Sequence, residues 1–224
     1  QYVSDIARKN QLDNLDMKKI VKDIYYQQTQ DFTCGPACLI MALTHLGKID
    51  MPDNHLFEMD IWRRANSVFM GKGHPGCGPY GLAIAAREYE CNVKLLLSRE
   101  NRFFRHWNVD PHKRETEHLI EEHDKSRADE MGCIFAPYPK SPETLSKQIT
   151  KDNIVINLSE DKDDAAGHWV CSIKQEDGTF LVLDPYIEEE DQSIKTHNTK
   201  TLSAEEYYQD MQYMKQRVAL ILSY

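Results

Sequence analysis

Three short segments, far apart in the chain, carry residue types that perform nucleophilic chemistry together. The first is Gln28, followed six positions later by Cys34-Gly35-Pro36-Ala37. A thiol attacks as its thiolate, and a cysteine at a helix N-terminus is favoured in that form by unpaired N–H groups and the positive end of the helix dipole. Pro36 suits a first helical turn, where a missing N–H is no loss. Gly35 is expected to let backbone approach a substrate. Gln28 reaches the same place if QTQDF turns back, and its amide can then donate to a developing oxyanion beside the Cys34 N–H.

The second and third segments supply a base and its orienter. Gly167-His168-Trp169-Val170 opens one apolar run, and Asp184-Pro185 closes the next, with QEDG between them as a hairpin signal. Pairing around that turn sends His168 and Asp184 to the same end of the hairpin. A carboxylate there accepts the imidazole N–H and fixes the tautomer that a cysteine's base needs. A rival nucleophile exists, because GCGPYGLAIAA (76–86) echoes TCGPACLIMAL (33–43). Cys77 has the same local setting as Cys34, but the residue six before it is Gly71, which has no amide to offer. The glycines around it read as a backbone wall lining a cleft. Gly76, Cys77, Gly78 and His74 of this run, with Trp169 beside the base, are the expected substrate contacts.

QTQDFTCGPACLIMAL, GHWV and LVLDPY together resemble the C39-like branch of the papain-fold cysteine peptidases. Within that branch, WRRANSVFMGKGHPGCGPYGLAIAA (62–86) is similar to a bacterial group of stand-alone C39-like proteins, whose W-R-x-A helix precedes a G-H-x-G-C-G-P-x-G-L segment. The resemblance spans about residues 25–186. It implies a papain-like fold, Cys34 as nucleophile, His168 as base, Asp184 as orienting residue and Gln28 in the oxyanion hole. It also implies a peptide or protein substrate, no cofactor, and residence in a bacterial cytoplasm or secretion as an effector. The leader peptides cut by transporter-fused C39 domains do not carry over, since these residues contain no transporter sequence. The same thioester chemistry serves an acyltransferase, and a non-catalytic peptide-binding module would keep the shape alone.

Positioning these groups requires helices first and strands afterwards. Helical spacing or caps mark 13–24, 34–47, 55–70, 82–90, 112–130 and 141–149. Strand-like runs follow at 92–98, 153–159, 168–174, 179–185 and 216–223. The expected architecture is α+β: a single domain over 1–224, helical to about residue 150 and strand-rich from about 151, with N-terminal helices packed on a C-terminal antiparallel sheet. His106, His112, His118 and His123 invite a metal reading, but spacings of 6, 6 and 5 put no two of them at i, i+4, and no CxxC pair accompanies them. No metal is expected. Of the six cysteines, Cys38, Cys91, Cys133 and Cys171 have apolar neighbours and read as packing, not as disulfide partners.

Composition narrows the partners. Lys+Arg 27 against Asp+Glu 36 gives a net charge of −9 over 224 residues, which argues against nucleic acid and against anionic membrane surfaces. The longest apolar runs, such as IVINL and VALIL, fall far short of the ~20 residues of a membrane span. QYVSDIARKN lacks the basic-then-apolar order of a signal peptide. The acidic run IEEEDQ (187–192) is expected to be a surface loop after Asp184. The oligomeric state stays open.

Overall fold

Strands whose apolar runs are continuous, rather than alternating with polar residues, need cover on both faces. The computed structural model describes residues 17–66, 75–99, 103, 110–160, 167–188, 191 and 196–224, and it supplies that cover. Strands β1 (Asn92–Leu97), β2 (Ile134–Pro137), β3 (Ile154–Glu160), β4 (Gly167–Lys174), β5 (Phe180–Asp184), β6 (Asn198–Leu202) and β7 (Val218–Ser223) form one sheet. Its order is β2-β1-β7-β3-β4-β5-β6. Neighbours run antiparallel, as expected, except for the parallel pair β1 and β2 at one edge. The short polar strand β6 and the four-residue β2 lie at the two edges, where few apolar residues are required.

On one face lie the helix at residues 17–24 (α1), α2 (Cys34–His45), α3 (Leu56–Ala65), α4 (Pro79–Glu88) and α5 (Pro111–Glu130). The other face is covered by α6 (Pro142–Gln148) and α7 (Ala204–Asp210). Alternation along β4 shows the division: Trp169, Cys171 and Ile173 join the α2 core, while Val170 joins Phe180, Val182, Tyr207 and Met211 beneath α7. Helix α2 is buried from Cys34 through Leu43, so it is apolar all round rather than striped. Among the described residues, no helix is long and apolar enough to cross a membrane.

Several boundaries differ from the expected ones. Helix α3 ends at Ala65; Asn66 turns extended and pairs as an isolated bridge with Cys77. The rest of the expected 55–70 helix lies outside the described residues. Helix α4 begins at Pro79, three residues before the expected start, because Gly78 takes the N-cap and Pro79 the first helical position. Helix α7 was not expected, though Ser203 and Glu206 form a complete capping box at its start.

Helices α3 and α4 meet at a glycine. A Cβ on Gly81 would lie 2.3 Å from the Ala65 carbonyl oxygen, so only glycine permits the approach. Trp62, one turn before Ala65, donates its indole N–H to the Pro75 carbonyl at 2.7 Å and ties the segment leading into α4 onto α3. Gly81→Ala is expected to destabilise the fold by about 1–3 kcal/mol through this overpacking. A lower urea midpoint at unchanged m-value is the measurement that checks it.

Candidate active site

The site assembles where α2 begins, where β4 begins and where β5 ends. The hairpin forms around Gln175–Thr179: Lys174 pairs with Phe180, the Gln175 N–H donates to the Thr179 carbonyl, and Gly178 takes φ +87. The register runs from that turn through Cys171 opposite Leu183. His168 and Asp184 therefore reach the same end, on the same face of the sheet. His168 Nε2 and Asp184 Oδ1 are 2.7 Å apart. An ionised carboxylate only accepts, so Nε2 carries the hydrogen and Nδ1 is left for another partner. Cys34 stands close enough to the same ring for its thiol to help raise the imidazole's pKa. Asp184 is held in turn: Oδ1 also accepts the Tyr186 N–H at 2.9 Å, and its carbonyl accepts the Tyr25 hydroxyl at 2.6 Å.

Cys34 is the first residue of α2 and is 4% exposed. Thr33 occupies the N-cap position, but its hydroxyl donates to the Gln30 carbonyl and no side chain caps the helix. Among the described residues the first-turn N–H groups of Cys34 and Gly35 are thereby left without a side-chain acceptor, and Pro36 has no N–H to offer. Gly35 does a different job from the one expected of it. A Cβ there would come within 3.1–3.3 Å of Leu82 and of the Cys77 Cβ, so glycine at 35 seats α2 on α4 rather than opening space for a substrate.

Gln28 enters from the side. Its N–H donates to the Pro185 carbonyl at 2.9 Å, which places it beside Asp184, and its Nε2 donates to the Gln30 carbonyl at 2.9 Å. One N–H of the amide is left over by that bond. Its Oε1 is buried and finds no hydrogen-bond partner among the described residues.

A family model described as the Peptidase_C39 like family matches residues 24–223. The chain belongs to that family. A comparison with curated proteins found no match. The papain-like fold that the C39-like family implies agrees with the α+β architecture.

In this C39-like chain the two Cys-Gly-Pro segments are not equivalent. In α2 the cysteine is the first helical residue; in α4 the proline is, and Cys77 lies two positions before it. Cys77 is fully buried, and burial pushes its thiol well above the ordinary range. The expected substrate contacts need correction accordingly. The Trp169 side chain is 2% exposed and donates its indole N–H to the Cys77 carbonyl at 2.9 Å. Cys77 and Trp169 are thus core residues bracing one another, with Gly76 buried beside them. Gly78 is the half-buried N-cap of α4, and His74 lies outside the described residues.

Cys38, Cys91, Cys133 and Cys171 are buried, and all six cysteines are free thiols. His112, His118 and His123 lie along α5, and His106 is outside the described residues. Sequence reasoning missed Glu58, a fully buried carboxylate on α3. The signal was present: Glu58, Ile61 and Ala65 share the inward stripe of that helix, where a carboxylate is out of place.

A cavity of about 460 Å³ also reaches the His168–Asp184 pair, from the α7 side of the sheet. Its walls include Glu160, Lys200 and Asp210.

Burial by itself would lower the His168 pKa, but hydrogen bonds to Asp184 and Cys34 outweigh it and raise the imidazole from 6.5 to about 10. The unfolded chain releases this proton near 6.5 and the folded chain near 10. The folded state binds the extra proton between those values, so its stability is lost as pH rises through the window. The stability difference between the native chain and His168→Gln is therefore expected to be flat below pH 6.5 and to shrink steadily towards pH 10. Urea denaturation of both proteins at several pH values checks this; a difference that grows with pH would contradict it.

Proposed function

We propose that this chain is a cysteine peptidase that hydrolyses a peptide or amide bond. Cys34 Sγ attacks the carbonyl carbon, and its proton is held by His168 at Nδ1. The oxyanion is met by the Cys34 N–H and the free N–H of the Gln28 amide, donors that act where charge develops. The C–N bond then breaks, with His168 passing its proton to the leaving amine. Water attacks the resulting thioester, giving its proton to His168, and the acid departs as the thiol is restored. Asp184 keeps Nε2–H of His168 engaged throughout, so that Nδ1 always faces the thiol.

The observation that carries this reading is the imidazole that Asp184 holds at Nε2 from 2.7 Å, on a ring whose pKa the helix-terminal Cys34 thiol also helps to raise. Gln28 adds to it, since its backbone is tied to the Pro185 carbonyl beside Asp184 and its amide keeps one N–H beyond the bond to Gln30.

Iodoacetamide at neutral pH, with mass-spectrometric mapping, tests the nucleophile. Cys34 is expected to be alkylated first among the six thiols, and His168→Ala to slow that labelling roughly ten-fold or more, because the adjacent imidazolium sustains the thiolate. First labelling at Cys77, or no preference among the six, would overturn the assignment. Offering the acyl-enzyme an added amine in competition with water then separates hydrolysis from acyl transfer by the product formed.

A further inference from the structure

Glu58 is fully buried, yet its partners are all hydrogen-bond donors of one short segment rather than a cation in the core. Oε1 accepts the Thr29 N–H at 2.9 Å; Oε2 accepts the Thr29 hydroxyl at 2.8 Å and the Tyr26 hydroxyl at 3.0 Å. Among the described residues the nearest basic group, His55 Nδ1, is 4.0 Å away on a largely exposed side chain. A carboxylate withdrawn from water is tolerated only when its lone pairs are filled, and here one segment fills them. Burial, and then the Glu58 charge, push the Tyr26 phenol up, so it remains a donor.

The three donors bracket Gln28, with Tyr26 two residues before it and Thr29 immediately after. One turn further along α3, Trp62 presents its ring to Phe32 at 5.1 Å. The 26–33 segment is thus fastened to α3 at two points of one helical face, while Gln28 itself is tied to the β5 end through Pro185. Packing does not require a charge at this place. Glutamine has nearly the same shape, but it cannot accept three donors at once.

We propose that Glu58 is a positioning residue: its buried carboxylate holds Tyr26 and Thr29 so that the Gln28 amide is aimed at the oxyanion formed at Cys34. The inference rests on the peptidase reading, in which Gln28 meets that oxyanion. It assigns Glu58 no contact with substrate. Its effect is on the acylation barrier, not on the reactivity of the thiol.

Two probes separate those effects. Iodoacetamide forms an S–C bond at Cys34 and expels iodide with no oxyanion on the way. p-Nitrophenyl acetate forms a thioester and expels p-nitrophenolate through a tetrahedral oxyanion. Glu58→Gln is expected to leave alkylation of Cys34 within about two-fold of the native rate and to slow the nitrophenolate burst about ten-fold or more, approaching the ~10²–10³-fold loss typical of a deleted oxyanion donor. Gln28→Ala is expected to behave likewise, and the double variant to be no slower than Gln28→Ala alone, since one residue acts through the other. Tyr26→Phe and Thr29→Val, which each remove one donor and keep the carboxylate, should slow the burst by a smaller factor in the same direction.

Equal losses of alkylation and acylation in Glu58→Gln would make Glu58 a residue of the fold and overturn the proposal. So would additive losses in the double variant, or an unchanged burst in all three of Glu58→Gln, Tyr26→Phe and Thr29→Val. Failure of the underlying reading looks different: native Cys34 would not be alkylated or acylated, or Gln28→Ala would acylate at the native rate.

Discussion

Two thiols hold the Cys34 end of α2 to the His168 end of β4. Cys38 on α2 donates to the Trp169 carbonyl of β4 at 3.3 Å, and Cys171 on β4 donates back to the Cys38 carbonyl at 3.1 Å. The pair is buried and reciprocal, so α2 has one height along β4 at which both bonds form. One helical turn before Cys38 stands Cys34, and one residue before Trp169 stands His168. A turn rises about 5.4 Å along the helix, so fixing Cys38 against Trp169 also fixes the height of Cys34 relative to the imidazole. Each S–H bond is individually weak. Their value lies in geometry, because sulfur in these positions fills the core as a small apolar group and still satisfies a strand carbonyl.

Around that clamp, the remaining groups are suspended from backbone rather than from one another. Gln28 hangs from Pro185, Asp184 receives Tyr25 on its carbonyl, and Trp169 braces the segment before α4 through the Cys77 carbonyl. The far face of the sheet is locked with equal care. Tyr207 of α7 closes a buried triangle of hydrogen bonds with Asn157 and Ser172 and stacks on Phe180 with ring centroids 3.9 Å apart. The strands that carry His168 and Asp184 are therefore fixed from both sides before any substrate arrives, which is what preorganised chemistry demands.

Much of this was legible in the sequence, for physical reasons that differ from place to place. The hairpin turn and the apolar runs flanking it set the register of β4 and β5, and register alone carries His168 and Asp184 to one end. The difference between the two Cys-Gly-Pro segments was not legible. It turns on which residue becomes the N-cap, and that is decided by Thr33 folding back on Gln30 in one case and by Trp62 and Gly81 drawing α4 onto α3 in the other. Cys77 and Trp169 looked like cleft residues because a local pattern does not report depth. Strands β2 and β6 escaped because edge strands need little apolar surface. Glu58 stood in plain view on an inward stripe, and only its partners, 29 to 32 positions away in the chain, explain why it is there.

The same packing that aligns the site also sorts the thiols by what surrounds them. Burial raises Cys133 to about 11 and pushes Cys38, Cys77 and Cys91 up as well, and the Cys171 sulfur is spent on the α2–β4 clamp. A protonated, enclosed thiol reacts slowly with peroxide or with a disulfide. On the proposed reading, an oxidant that reached the sulfur at the helix start beside His168 would stop the chemistry and leave the scaffold intact.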